Sequence, residues 1–210
     1  MKTIILNASP RRNSNTAQLL QSAQKGAESV GAETEYINLY DLNFTGCRSC
    51  MACKRKGAEP CKCYWKDDLS PVLERIFEAD TILIGSPIYL GDTSSHFHAF
   101  LERMDFVTLS YNDYSCLFKG KLNVGILLTM NAPKQYYEEV YRLKLQDQMA
   151  AFERFGGSVK VYPCCDTLQV NDYSKYEMGV WNEQHKKEVH EKEFTKNLKD
   201  AFQIGAELSK

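Results

Sequence analysis

The chain has 210 residues, enough for one well-formed core, and its 26 basic and 27 acidic side chains leave a formal net charge of −1. A near-neutral balance with no basic block provides no field to gather a polyanion, which argues against nucleic acid as a partner. The opening MKTIILNASP ends its apolar run at Asn7, too short for a membrane span and without a signal-peptide cleavage pattern, so a cytoplasmic protein with no membrane partner is expected.

KTIILN is an apolar run with β-branched residues and no alternation, the pattern of a parallel strand covered on both faces. The loop after it, Ser9 to Thr16, leaves the carboxyl end of that strand, where open α/β sheets place their ligand crevice. It offers hydroxyls at Ser9, Ser14 and Thr16, the amide of Asn15, and the guanidinium groups of Arg11 and Arg12. It also leads into a helix marked by Leu19, Leu20, Ala23, Ala27 and Val30 and closed by Gly31, whose first-turn N–H groups suit a phosphate. Neither GxxxxGK[ST] nor GxGxxG occurs there, which disfavours a triphosphate or a dinucleotide; a monophosphate such as that of FMN fits better. The plainer reading of the same residues is that Ser14 or Asn15 caps the helix.

A second strand over 32–42 alternates enough to lie near a sheet edge. The segment 43–66 then reads as a cysteine-rich insertion carrying Cys47, Cys50, Cys53, Cys61 and Cys63, five of the eight cysteines. Such crowding points to metal or redox work rather than disulfide staples. Two residues between successive thiols, as in Cys47, Cys50 and Cys53, let a loop fold around an iron–sulfur cluster. Seven residues separate Cys53 from Cys61, with Gly57 and Pro60 permitting the turn, and Cys63 competes with Cys61 as the fourth thiol. A zinc site, which more often uses two separated C-x₂-C pairs, and metal-free redox thiols remain open.

A helix over 67–80, capped by Asp67 or Asp68, leads into the buried strand TILIGSPIY. The loop that follows contains Pro87, Ile88, Tyr89, Leu90 and Gly91, which provide a stiff turn, an aromatic for a planar ring and a glycine for close backbone approach. Taken alone, Tyr89 is equally a packing residue. His96 and His98 fall on the next helix two positions apart, on different faces, and form no metal pair. KLNVGILLTM is a fourth buried strand, and Thr129, Met130 and Asn131 at its end reach the same crevice by position. An amphipathic helix over 134–155 and a fifth strand over 158–164 follow. In the extension 166–210, Tyr173, Tyr176 and Trp181 are expected against the sheet, with a last helix as a solvated cover. Strands alternating with helices predict one α/β domain, 1–210, built on an open parallel sheet.

Three stretches in order, NASPRRNSNT, GCRSCMAC and GSPIYLGDTSSHFHAFLERM, resemble the flavodoxin-like family of NADPH-dependent FMN reductases and its iron–sulfur flavoprotein branch. The resemblance covers about the first 160 residues. It implies a five-stranded sheet of order 2-1-3-4-5 with helices on both faces. It also implies FMN phosphate at Ser9, Arg11, Ser14, Asn15 and Thr16, and the flavin ring against Pro87, Ile88, Tyr89, Leu90 and Gly91, with Asn131 added by position. A [4Fe–4S] cluster on Cys47, Cys50, Cys53 and Cys61 is implied as well. So are NAD(P)H as co-substrate, a small-molecule electron acceptor or a ferredoxin-like protein as partner, and a homodimer or homotetramer. Hydride transfer needs no side-chain acid or base, so no catalytic residue is named. The chain departs from the family pattern by carrying His98 where a lysine is usual and Glu102 where an aspartate is usual. The competing functions are a non-catalytic flavodoxin-type electron carrier, which would usually be strongly acidic, and a zinc-stabilised structural or regulatory α/β protein.

Overall fold

Ile4, Ile5 and Leu6 have no exposed surface, as a strand covered on both faces requires. They lie on β1 (Lys2–Asn7), the inner strand of the computed structural model, which describes all residues Met1–Lys210. With β2 (Glu33–Asn38), β3 (Thr81–Pro87), β4 (Leu122–Thr129) and β5 (Gly156–Cys164) it forms one parallel sheet of order β2-β1-β3-β4-β5. The 2-1-3-4-5 order and the edge position of β2 are as the sequence and its resemblance imply.

The period of two along each strand divides the core into two layers. Ile4, Leu6, Ile82, Ile84, Ile126 and Leu128 face one side, where they meet α2 (Leu69–Phe77), α3 (Ser95–Thr108) and the helical run before β5. Ile5, Leu83 and Leu127 face the other, against α1 (Asn15–Ser29) and α6 (Glu183–Leu208). That run is not one regular helix. A short α4 (Lys134–Tyr136) passes through a π turn over Tyr137–Tyr141 into α5 (Arg142–Ala150) and a 3₁₀ turn over Ala151–Phe155.

Two other expectations are corrected. The end of the second predicted strand is a 3₁₀ turn, Leu39–Asp41. The last helix is largely solvated, as expected, but towards its C-terminal end α1 and α6 meet at backbone contact: a Cβ at Gly26 would lie 1.9 Å from the Phe202 carbonyl oxygen, and one at Gly205 would lie 1.9 Å from that of Ala23. Of the three tail aromatics Tyr173 is buried, while Tyr176 and Trp181 remain exposed. No helix is long and apolar enough to cross a membrane.

Candidate flavin and thiol sites

The carboxyl ends of β1, β3 and β4 open into one cleft. Its floor is fixed by buried Asn7, whose Oδ1 accepts from the Ser9 amide at 3.0 Å while its Nδ2 donates to Asn38. Gly85 lets the first turn of α1 sit directly on β3, since a Cβ there would meet Thr16 Cγ2 at 2.8 Å. Ser14 occupies the N-cap position of α1 in extended conformation but makes no capping bond; its hydroxyl lies 3.1 Å from that of Ser9. The first-turn N–H groups of α1 are thus left for an anion, helped by the helix dipole. The Thr16 hydroxyl is already paired with Thr129 at 2.7 Å, so Thr16 has its backbone N–H to offer.

Ser9, Arg11, Ser14, Asn15 and Thr16 line this cleft from one side, Pro87, Ile88 and Tyr89 from another, and Asn131 from a third. The cleft is shallow and open to solvent. Leu90 and Gly91, expected against the ring, do not line it. Leu90 is fully exposed, and Gly91 faces the π turn before α5, where a Cβ would meet Tyr141 Cε1 at 3.0 Å. Leu90 and Gly91 both have positive φ, at 51° and 82°.

The tail supplies wall residues that motif reasoning missed. Thr167 and Gln169 line the cleft together with Thr129 and Met130. Arg11 donates to the Gln169 carbonyl at 2.7 Å, and Asn15 donates to that of Leu168 at 2.9 Å. Asn131 donates to Gln169 Oε1 at 3.0 Å, but its own Oδ1 is buried without a partner. Such an acceptor on a cleft wall calls for a ligand donor. The uncapped helix end and this unpaired acceptor together fit a phosphorylated ring with N–H groups, as FMN has.

Behind the Pro87–Gly91 loop, Asp92 Oδ1 receives Gln148 Nε2 at 2.8 Å and lies 2.9 Å from His98 Nε2. Burial alone would raise the Asp92 carboxyl, but these bonds outweigh it and hold it below its ordinary value. His98 therefore anchors this loop. His96 instead stacks on Tyr40, with ring centroids 3.7 Å apart.

The cysteine segment packs on α3. All eight cysteines are free thiols. Ser49 and Met51 take left-handed backbone conformations, coiling the loop around Cys50, and the Ser49 amide donates to Cys47 Sγ at 3.4 Å. Lys54 ties the loop to the carbonyls of Phe106 and Leu109 at the end of α3. Cys47, Cys50, Cys53 and Cys63 line one pocket, closed by Trp65, Arg103, Phe106 and Val107. Burial raises the Cys53 thiol most; Lys54 opposes, and the neighbouring Cys63, Cys47 and Cys50 add to the rise.

Cys61, the fourth thiol of the sequence reading, is not on this wall. At φ 62° it reverses the chain after Pro60. Burial pushes its thiol up to about 11, with Cys116 the next cause in the same direction. Cys63, the competing fourth thiol, does line this pocket. The four pocket thiols are a donor set suited to iron–sulfur or zinc, although no three His, Cys, Asp or Glu side chains stand at metal-ligating spacing.

The family model for NADPH-dependent FMN reductase matches residues 1–135. An iron–sulfur flavoprotein of Methanocaldococcus jannaschii is 37% identical over 103 residues, 49% of this chain and 51% of that protein. One from Archaeoglobus fulgidus is 35% identical over 103 residues, 49% of this chain and 48% of that protein. The chain thus spans about half the length of the curated relatives it matches. Among solved structures, an NAD(P)H:quinone oxidoreductase from Methanothermobacter marburgensis superposes with a TM-score of 0.72 at 18% identity, over 100% of this chain and 98% of that one. A flavodoxin from the domain Archaea gives 0.52 at 12% identity, over 100% and 96%. At these identities the two structures speak for the flavodoxin-like fold.

Proposed function

The chain belongs to the NADPH-dependent FMN reductase family, and from that premise we propose that it is an FMN-dependent oxidoreductase taking electrons from NAD(P)H and delivering them to a small acceptor or an electron-carrier protein. We propose further that the thiol pocket holds a [4Fe–4S] cluster as a second electron-transfer centre. FMN, when bound, supplies the hydride and single-electron chemistry. The chain's own residues bind and orient it. The α1 N-terminus with Ser9, Ser14 and Asn15 takes the phosphate, and Arg11 adds charge at the rim. Pro87, Ile88 and Tyr89 form the ring wall, with Asn131 Oδ1 as the unpaired acceptor.

The observation that carries this reading is the coincidence, at the ends of β1, β3 and β4, of an uncapped helix N-terminus with a buried, unpaired acceptor. For the cluster, four thiols on one pocket wall and the naming of both relatives as iron–sulfur flavoproteins are the support. A homodimer or homotetramer is part of the proposal. Leu90, Tyr136, Val140 and Leu143 expose apolar surface beside the flavin loop, where a second copy would cover it.

The test is anaerobic purification with FMN, iron, sulfide and zinc quantified, followed by NADH and NADPH oxidation with a quinone acceptor. FMN with about four iron and four sulfide per chain and nicotinamide-dependent turnover supports the whole reading. FMN and turnover without iron leaves a simple flavin reductase. FMN without nicotinamide turnover makes the protein a flavodoxin-type carrier, and zinc without FMN overturns the proposal.

A further inference from the structure

Tyr89, the aromatic of the cleft wall, opens a turn that its backbone alone holds under strain. Its amide donates to the Asp92 carbonyl at 2.7 Å and its own carbonyl accepts from the Asp92 amide at 3.0 Å, closing a two-residue hairpin around Leu90 and Gly91. Both central residues have positive φ, at 51° and 82°, the pattern of a type I′ turn, whose first central position favours Asn, Asp or Gly. Leucine is strained there, and its fully exposed side chain gains no burial within the chain to offset the cost. The Asp92 side chain supplies what is missing. Its Oδ1 accepts from the Thr93 amide at 2.8 Å and from Gln148 Nε2 on α5 at 2.8 Å. His98 Nε2 on α3 lies 2.9 Å from the same oxygen, and because a carboxylate only accepts, the imidazole donates. Gln148 is itself oriented, its Oε1 accepting from the Thr93 hydroxyl at 3.0 Å, which turns its amide nitrogen toward Asp92.

We propose that Gln148 and His98 are positioning residues of the flavin ring wall: acting through Asp92, they hold the Tyr89–Asp92 turn in the strained form that keeps Tyr89 on the cleft. The inference rests on the FMN reading above. Asp92 and His98 are 38% and 40% exposed, so neither contact is strong alone, and the turn is held by the set of donors converging from two helices on one oxygen. None of Asp92, His98 and Gln148 lines the cleft, whereas Ser9 and Ser14 do. The pins therefore govern how tightly the ring is held and leave the phosphate contacts alone, so FMN and riboflavin depend on them equally.

The test titrates FMN and riboflavin, by flavin fluorescence at neutral pH, against wild type, Gln148→Glu, His98→Leu and the double variant Asp92→Asn with Gln148→Glu, with thermal unfolding as the control for folding. Gln148→Glu keeps the side chain's shape and its bond from Thr93, but it loses the donor and sets a like charge against Asp92. Both flavins are expected to weaken by about 5–10-fold, and by the same factor, in Gln148→Glu and in His98→Leu. In the double variant the new amide donates to the new carboxylate, restoring the contact with its direction reversed, and both flavins are expected to recover most of the loss. A role in general stability alone predicts the opposite, since the second change would add to the first. Affinities within about twofold of wild type in both single variants overturn the proposal. So does a loss confined to FMN, which would place the effect at the phosphate, and so does a double variant that binds more weakly than Gln148→Glu. If Gln148→Glu fails to fold, His98→Leu carries the same comparison of the two flavins. A wild-type protein that binds neither flavin defeats the FMN reading itself, a result distinct from any of these.

Discussion

Arg103 grips Asp67 with both terminal nitrogens, at 2.6 Å and 3.1 Å, where the two side chains are 2% and 9% exposed. Asp67 Oδ1 also accepts from the amides of Leu69 and Ser70, each at 3.2 Å, so one carboxylate caps α2 and neutralises the cation behind the thiol pocket.

Removing that carboxylate leaves an uncompensated buried guanidinium, for which the usual cost is about 3–5 kcal/mol. Asp67→Asn is therefore expected to lower the urea midpoint strongly at pH 7. Burial alone would raise the Asp67 carboxyl, but the Arg103 and Ser70 bonds outweigh it and hold it below its ordinary value. A depressed folded value stabilises above the unfolded one, about 3.9, and that stabilisation fades as pH falls through the folded value. The gap between wild type and Asp67→Asn should accordingly be full at pH 7 and narrow as pH falls below 4. A gap that stays constant between pH 7 and pH 3 counts against the ion pair.

The crossing of α1 and α6 predicts a penalty that side-chain size alone would not suggest. Gly205→Ala places a methyl 1.9 Å from the Ala23 carbonyl oxygen, and because the obstacle is backbone, the helices must part. Overpacking of this kind costs roughly 1–3 kcal/mol, against the small gain alanine gives inside a helix. Gly179→Ala, where nothing lies within 4 Å, is the control. Thermal unfolding of the two variants should separate them, with hydrogen exchange of α6 accelerated in Gly205→Ala.

The phosphate assignment predicts that FMN binds more tightly than riboflavin and that Ser9→Ala and Ser14→Ala each weaken FMN by about 5–10-fold, the value of one hydrogen bond of about 1–1.4 kcal/mol. Riboflavin, with no phosphate, should be nearly indifferent to both. Fluorescence titration of the two flavins against three proteins reads this directly, and equal loss for both flavins would move the phosphate elsewhere.

The sheet was legible because its inner strands are continuous apolar runs, and the Ser9–Thr16 loop because its donors stand together in sequence. What was hidden depends on backbone direction or on distant pairing. That Cys63 rather than Cys61 shares a pocket wall with Cys47, Cys50 and Cys53 goes with the left-handed backbone at Cys61, which no residue type announces there. Gln169 reaches the cleft through hydrogen bonds to Arg11 and Asn131, Leu168 through one to Asn15 and Thr167 through the Met130 carbonyl, pairings of about 40 to 160 residues' separation that local patterns do not encode. The backbone contact of α6 with α1 rests on two glycines that read, in sequence, as mere helix weakeners.

Lys186 ties this tail to the cleft. Its side chain is 3% exposed and donates to Asp166 Oδ1 and, at 2.6 Å, to the Asn131 carbonyl. Thr167 in turn bonds through its amide to the Met130 carbonyl at 3.0 Å, so the lysine on α6 holds the segment that carries Thr167 and Gln169 against the end of β4. Lys186→Met keeps the apolar stem but strands Asp166, which retains His185 Nε2 at 2.8 Å and is 17% exposed, so the loss should fall below that of a fully buried pair, at about 1–3 kcal/mol. Because the cleft wall loosens with it, FMN affinity is expected to drop by about 10-fold, with riboflavin affected equally since the phosphate contacts are intact. The double variant Asp166→Asn with Lys186→Met removes the stranded charge and should recover part of the stability while leaving FMN weakly bound. Full recovery of FMN affinity in that double variant would mean that the charge itself, and not the tether, governs the cleft.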